Sequence, residues 1–226
     1  MKYKFASDSH THSDCSPDGA SPAAQMVHRA EELGLYALTL TDHCECQKYD
    51  EKYRAVSEKA WDIMSGMQPG GALRFYKGIE LGQPLENLAA AQEAAGKFDY
   101  DFIIGSLHNL RGRQDFYYYD CGTAGIEQIH SVLFEYWEQL LEMIEWGGFD
   151  SLGHLTYPLR YIQGENGVYV DMARHRDYID QVLGALVKKG IALEVNTSGL
   201  RQKLGETMPA EAVLRRYHEL GGRLVT

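Results

Sequence analysis

Short apolar runs alternate along the chain with longer segments that have the periodicity of helices. Five of the runs have the length and composition of strands and cover residues 3–6, 36–40, 73–79, 102–107 and 151–152. Two more follow at residues 191–196 and 223–226. A regular alternation of strand and helix from end to end is typical of an α/β fold with a parallel sheet.

The helices between these runs have recognisable start and stop signals. Ser21-Pro22 predicts the start of the first helix and Gly34 predicts its end. The longest predicted helix covers residues 124–146, where apolar residues recur at helical spacing before two glycines. Further helices are predicted around residues 53–63, 85–95, 172–189 and 209–220.

The sequence contains no linker, internal repeat or low-complexity tract, and its 226 residues therefore predict one domain over 1–226. A parallel barrel closes only with a complete last strand, because a strand that is cut short leaves an open edge. The final run, 223–226, stops where the sequence stops. We therefore expect a truncated last strand and a natural protein that continues beyond it.

The composition, with 44% hydrophobic and 24% charged residues, is that of an ordinary globular protein. No apolar stretch approaches the ~20 residues of a membrane span, and the N-terminus lacks the apolar core of a signal peptide. Four cysteines without a secreted framework favour reduced thiols and a cytoplasmic location. The net charge of −10 makes a nucleic-acid partner unlikely, but it allows a small phosphorylated substrate.

Metal-binding side chains are predicted to follow the strands. In a parallel α/β barrel every strand ends at the same face, so these side chains should converge on one small volume. The set is His10, His12, His43, Glu80, His108 and His154. Five imidazoles and one carboxylate at the same phase of successive strand–helix units favour a hydrolase that uses several metal ions.

Four candidate residues have further local features. His10 and His12 are two residues apart, so in an extended backbone both imidazoles point to the same side and can reach one metal. Asp18 lies in a Ser-Pro-Asp-Gly segment, where it is explained equally well as a turn residue or as a ligand. Glu80 can bridge two ions, which a neutral imidazole cannot do.

The order of these motifs resembles the PHP (polymerase and histidinol phosphatase) family over essentially the whole chain. The resemblance lies in Ser9-His10-Thr11-His12 with Asp18-Gly19, Thr41-Asp42-His43, Gly78-Ile79-Glu80, Gly105-Ser106-Leu107-His108, Gly153-His154 and residues 194–201. It implies a distorted seven-stranded (β/α) barrel, similar to a TIM barrel, with two or three divalent ions (Zn, Mn or Fe). The implied ligands are His10, His12, Asp18, His43, Glu80, His108 and His154. Two further family ligands, an Asp and a His, would follow residue 226, so the resemblance implies a depleted metal site.

The resemblance also implies a phosphomonoesterase that hydrolyses L-histidinol phosphate to L-histidinol and phosphate in histidine biosynthesis. Arg160 and Arg201 follow predicted strands, and their planar guanidinium groups suit the paired oxygens of a phosphate. The resemblance implies a phosphate-binding role in catalysis for both. Two alternatives stay open: a PHP-type phosphoesterase acting on another small phosphate ester or nucleotide, and a catalytically impaired metal-binding accessory protein.

The other candidate residues are interpreted structurally. Four histidines lie among charged residues of predicted helices and are predicted to be exposed: His28, His130, His175 and His218. Cys44 and Cys46 are predicted to be free thiols. The carboxylate that would meet the ammonium group of the substrate is left open among Glu45, Asp115 and Glu165.

Overall fold

The structure, a computed structural model, describes residues 4–226, which form two compact units. The first unit contains residues 4–105, 148–150 and 226, and the second contains residues 106–147 and 151–225. The single domain over residues 1–226 stays a prediction.

The first unit contains strands and helices in alternation. Its strands are β1 (Ser7–Thr11), β2 (Ala37–Leu40), β3 (His43–Glu45), β4 (Arg74–Gly82) and β5 (Phe102–Ser106). The last residue of β5, Ser106, is assigned to the second unit. Its helices are α1 (Ala23–Leu33), α2 (Arg54–Ser65) and α3 (Leu88–Gly96). The alternation predicted from the sequence is confirmed here, and β3 is an additional short strand.

The strands of the first unit pair in parallel. Strand β2 lies between β1 and β4, and β3 pairs with the second half of β4. In this register His43 lies opposite Glu80, and Glu45 lies opposite Gly82. Backbone pairing therefore fixes which of these side chains are neighbours.

The second unit begins with the longest helix of the chain. Its helices are α4 (Ile126–Trp146), α5 (Tyr157–Leu159, continued by the π-helical turn Arg160–Glu165), α6 (Arg176–Lys189, preceded by the 3-10 turn Met172–His175) and α7 (Glu211–Glu219). Its strands are β6 (Ser151–Leu152), β7 (Ala192–Glu194) and β8 (Leu224–Val225). They pair in parallel, so that Leu193 lies opposite both Leu152 and Leu224.

Each unit buries its own apolar cluster. In the first unit, α1 and α2 pack Ala23, Ala60 and Met64 against Leu40 of β2. In the second unit, α4 packs Ile129 and Leu133 against a group formed by Cys121, Leu159, Ile162 and Val170. Burial of such side chains removes apolar area from water and fixes the helices on the strands. None of the helices in the described residues is long and apolar enough to cross a membrane.

The first predicted strand is wrong in position. Residues 3–6 were predicted as the strand, whereas β1 covers Ser7–Thr11, and Tyr3 lies outside the described residues. The apolar signal came from Phe5, which remains 64% exposed and makes an edge contact with the ring of Tyr36. The real strand has a polar sequence, SDSHT, and is held by parallel pairing with β2. Consequently His10 lies inside β1, not after it.

Two of the four histidines predicted to be exposed are buried. His130 is 2% exposed and His175 is fully buried, and their rings form a hydrogen bond of 2.7 Å between Nδ1 of His130 and Nε2 of His175. The indole N–H of Trp137 donates to Nδ1 of His175 at 3.0 Å. Packing of α4 against α6 and its preceding turn covers these polar side chains. His28 and His218 are exposed, as predicted.

Candidate active site

A buried carboxylate in contact with three imidazoles is the central feature of the first unit. Oε2 of Glu80, which is fully buried, lies 3.3 Å from Nε2 of His10, 3.1 Å from Nε2 of His12 and 2.9 Å from Nδ1 of His43. Strands β1, β3 and β4 carry three of these residues, and His12 follows β1 directly. A carboxylate removed from water in this way requires positive charge around it.

Asp18 completes a second set of donors with His12 and His43. Its Oδ1 lies 2.9 Å from Nδ1 of His12 and 3.5 Å from Nε2 of His43. The three ligand atoms lie within 4.8 Å of one another. The first unit therefore brings together five of the seven predicted ligands: His10, His12, Asp18, His43 and Glu80. Asp18 also lies in a Pro-Asp-Gly loop between β1 and α1, so its interpretation as a turn residue holds as well.

Glu45 also contacts this cluster. The sequence analysis named it only as one of three carboxylates that could meet the ammonium group of the substrate. Its Oε1 lies 3.2 Å from Nδ1 of His43. Gly82 makes room for it: a Cβ built at Gly82 would lie 2.2 Å from Oε2 of Glu45. This contact depends on the parallel register between β3 and β4, and β3 was not predicted from the sequence.

Asp42 holds the loop around the cluster in place and was missed as a functional residue. One carboxylate oxygen accepts from the backbone N–H of Ser13 at 2.7 Å and from the hydroxyl of Ser16 at 2.6 Å, and the other accepts from the hydroxyl of Ser13 at 2.7 Å. The backbone N–H of His43 donates to Oγ of Ser16 at 2.9 Å. Asp42 thereby positions the residues that follow His12 together with the start of β3.

The ionisation of the cluster reflects its mixture of acids and imidazoles. Burial alone would lower the pKa of His12, but its hydrogen bonds to Asp18 and Glu80 raise that pKa above its usual value. Burial likewise opposes protonation of His43, yet the charge of Glu80 and the hydrogen bond to Asp18 hold its pKa well above the usual value. The pKa of Asp18 is far below its usual range because His12 and His43 outweigh the effect of burial. A divalent cation would bind the same lone pairs and displace these protons.

The donor set of the first unit fits a transition-metal ion. Imidazole nitrogens and carboxylate oxygens are the ligands that Zn, Mn and Fe share. Ligand atoms around a four-coordinate zinc ion are roughly 3.4 Å apart, given metal–ligand distances of ~2.1 Å. The observed contacts of Glu80 with the three imidazoles, 2.9–3.3 Å, are close to that spacing.

The remaining two predicted ligands lie together in the second unit. Nε2 of His108 is 3.4 Å from Nε2 of His154, and both side chains are buried. His154 adopts a positive φ of 20°, which is rare for a residue with a side chain. Its backbone N–H donates to Oε2 of Glu194 at 2.5 Å, and Asn196 donates to the other oxygen of Glu194 at 2.9 Å. Glu194 thus fixes the strained backbone that presents His154.

The two predicted phosphate-binding arginines are also in the second unit. Arg160 begins the π-helical turn after α5, and its guanidinium lies 5.3 Å from the ring centre of Tyr161. Arg201 ends the 3-10 turn Ser198–Arg201 and is exposed. Within residues 4–226 neither arginine forms an ion pair with a carboxylate. Both guanidinium groups are therefore available to an anion.

Comparison with known proteins gives matches along nearly the whole chain. The PHP domain family model matches residues 8–198. A protein of Thermotoga maritima named a probable histidinol-phosphatase is 29% identical, and the match covers 97% of this chain and 81% of that protein. The histidinol-phosphatase of Lactococcus lactis is 24% identical, with the same two shares covered.

Solved structures show the same fold. A Listeria monocytogenes protein provisionally named histidinol phosphatase has a TM-score of 0.77 at 19% identity, covering 97% of this chain and 93% of its own. The histidinol phosphate phosphatase of Lactococcus lactis, complexed with Zn, L-histidinol and phosphate, has a TM-score of 0.67 at 23% identity, covering 98% and 85%. The fold class predicted from the sequence, a seven-stranded (β/α) barrel similar to a TIM barrel, is confirmed by this likeness.

Proposed function

This chain belongs to the PHP domain family, and we propose that it hydrolyses L-histidinol phosphate to L-histidinol and phosphate in histidine biosynthesis. The observation that carries the proposal is the buried Glu80 carboxylate, which three imidazoles contact within 3.3 Å. The substrate is supported by the names of the relatives and by the Lactococcus lactis structure, which holds Zn, L-histidinol and phosphate. The four free thiols are consistent with a cytoplasmic location.

We propose that the chain holds two or three divalent ions, with Zn, Mn or Fe as candidates. When bound, such ions act as Lewis acids that activate water and offset negative charge on a phosphoryl group. The proposed ligands are His10, His12, Asp18, His43 and Glu80 in the first unit and His108 and His154 in the second. Buried Glu80 would serve as the ligand shared by two ions, because a carboxylate has two oxygens to offer and its Oε2 lies within 3.3 Å of three imidazoles.

The proposed role of Arg160 and Arg201 is to bind the phosphoryl oxygens. Each guanidinium presents a planar set of N–H donors that can grip two oxygens at once, and neither is committed to a carboxylate among the described residues. Catalysis of phosphoryl transfer consists mostly of positioning and charge stabilisation. In the reaction the oxygen of a water forms a bond to phosphorus, the bond between phosphorus and the ester oxygen breaks, and the alcohol leaves with a proton.

The residues around the ligands orient them. Asp42 fixes the loop after His12 and, through Ser16, the backbone of His43. Glu194 fixes the backbone of His154. Such supporting hydrogen bonds set the direction in which a ligand presents its lone pair, and they raise metal affinity without touching the metal.

The test combines metal analysis with phosphate release. The purified chain is loaded with Zn, Mn or Fe, its metal content is measured by mass spectrometry, and phosphate release is followed on L-histidinol phosphate and on a panel of other esters and nucleotides. We expect the highest kcat/KM for L-histidinol phosphate and loss of turnover after chelation.

A matched pair of variants separates the metal site from general effects. His12→Gln should lose metal and turnover, whereas His28→Gln, at an exposed position of α1, should keep both. A preference for another ester would replace the proposed substrate, and metal binding without turnover of any ester would support the accessory-protein alternative instead.

A further inference from the structure

A carboxylate with no cationic partner lies in the second unit, at Asp115. Its Oδ1 accepts from the backbone N–H of Tyr117 at 2.8 Å and from the hydroxyl of Tyr157 at 3.1 Å. Across residues 4–226 no lysine, arginine or histidine forms an ion pair with it. A half-buried charge surrounded by neutral donors alone retains most of its attraction for a cation.

Tyr157 connects this carboxylate to the two histidines of the second unit. Its ring centre lies 5.0 Å from those of both His108 and His154. Because its hydroxyl hydrogen goes to Asp115, the hydroxyl of Tyr161, 3.0 Å away, must donate to the oxygen of Tyr157. Asp115 is thus held one side chain away from two proposed ligands.

The other acidic candidates are already committed. Glu45 contacts His43 in the first unit. Glu165 forms an ion pair with Lys203 at 2.8 Å. Asp120, which like Asp115 has no cation beside it among the described residues, is exposed and accepts hydrogen bonds from Gly122 and Thr123 within its own turn. Of the three carboxylates that the sequence left open for the ammonium group, Asp115 alone has no cation beside it.

Asp115 also lines a cavity of about 200 Å³ in the second unit. The walls include the apolar side chains of Leu110, Phe116 and Val132. Arg113 lines the same cavity, but its guanidinium is paired with Glu135. Asp120 lines the cavity as well, and neither carboxylate forms an ion pair with a cation among the described residues. A small organic cation is the ligand that apolar walls and these carboxylates fit, and Asp115 is the carboxylate that Tyr157 joins to two proposed ligands.

We infer that Asp115 is a specificity-determining residue that binds the ammonium group of a phosphorylated amino alcohol. The inference rests on the proposed function. It names the residue that binds the amino group of the substrate, away from its phosphate. A charge-assisted hydrogen bond favours an ammonium over a neutral group, since a neutral ester leaves the carboxylate without its cation. Tyr157 acts as a positioning residue, because its hydroxyl directs the carboxylate of Asp115 and is itself held by the hydroxyl of Tyr161.

The test compares L-histidinol phosphate with imidazolylpropyl phosphate, the same ester without its amino group. Asp115→Asn keeps an oxygen acceptor for Tyr117 and Tyr157 and removes only the charge. We expect it to reduce the preference for the amino ester, measured as the ratio of the two kcat/KM values, by roughly 10- to 100-fold. Asp120→Asn, which removes a charge from the same cavity wall, should leave that ratio unchanged.

A binding measurement keeps the two proposals distinguishable. Calorimetric titration of the metal-loaded protein with L-histidinol should show affinity weakened by a similar factor in Asp115→Asn and unchanged in Asp120→Asn. An identical ester ratio and identical L-histidinol affinity in wild type and Asp115→Asn would overturn the role of Asp115. Failure of the wild-type protein to hydrolyse either ester would overturn the proposed function, while L-histidinol affinity would still report on Asp115.

Discussion

Replacing His175 by glutamine should remove a pH-dependent part of the folding free energy. The buried ring accepts a hydrogen bond from Trp137 at Nδ1, so its proton resides on Nε2 and is donated to His130. A second proton on His175 would set its Nδ1–H against the N–H of Trp137. The folded state therefore excludes a proton that the unfolded chain accepts freely.

The pKa values give the size and sign of the effect. The pKa of His175 is lowered to about 4, mainly by burial and then by the neighbouring His130 and Arg174, while Asp171 opposes the shift. An unperturbed histidine titrates near ~6.5. Because the folded pKa is depressed, this contribution is fully present above the unfolded pKa and is lost as the pH falls from about 6.5 towards 4. Linkage then gives a loss of about 2 kcal/mol between about pH 7.5 and about pH 5.

The assay is urea unfolding followed by circular dichroism at about pH 7.5 and about pH 5. His175→Gln keeps an oxygen that can accept from Trp137 and an N–H that can donate to His130, but it cannot take up a proton. The variant should lose less stability than wild type on acidification, by about 2 kcal/mol. His28→Gln, on the exposed face of α1, is the control and should follow wild type at both pH values. An equal stability difference between wild type and His175→Gln at both pH values would refute the reasoning.

Three further predictions concern the candidate site. Glu80→Gln should lower the metal content by about one ion per chain together with turnover, since its oxygen contacts three imidazoles; retained metal in mass spectrometry would contradict the bridging role. Arg201→Ala should weaken inhibition by inorganic phosphate and cut kcat/KM by roughly 10²–10³ at unchanged metal content; unaltered inhibition in steady-state kinetics would exclude it from the anion site. Asp42→Asn should weaken metal affinity by roughly 10- to 100-fold because Ser13 and Ser16 lose a charged acceptor; chelator competition measures this, and wild-type affinity would show that the loop holds without it.

Apolar patterning predicted the elements where strands are buried and failed where a strand is polar. The run at 36–40 became β2, all of whose residues are buried. By contrast β1 has the sequence SDSHT and no apolar signal at all. Its strand conformation comes from parallel pairing with β2, which is a long-range interaction that local composition does not encode.

The candidate ligands were predictable because their residue types and spacing are specific, whereas their supporting contacts were not. The H-x-H step placed His10 and His12 beside one carboxylate, as the extended backbone requires. The contact of Glu45 with His43 depends on the register of β3 against β4 and on the missing side chain of Gly82. Burial of His130 and His175 depends on which helix faces pack together. Such features follow from tertiary packing and have no signature within a few residues of sequence.

The proposed functional residues of the two units differ in chemistry, and this difference provides an internal check. The first unit holds the acid-rich cluster around Glu80, and the second holds Arg160 and Arg201 together with Asp115. Their proposed roles differ in kind: a cluster of carboxylates and imidazoles binds cations, guanidinium groups bind the phosphate, and an unpaired carboxylate binds an ammonium. Substitutions at Glu80, Arg201 and Asp115 should therefore change three different measured quantities: metal content, phosphate affinity and the preference for an amino ester. If all three variants lowered the same quantity by the same factor, the cause would be a general loss of structure. If each variant changed only its own quantity, each chemical role would be assigned to its own residue.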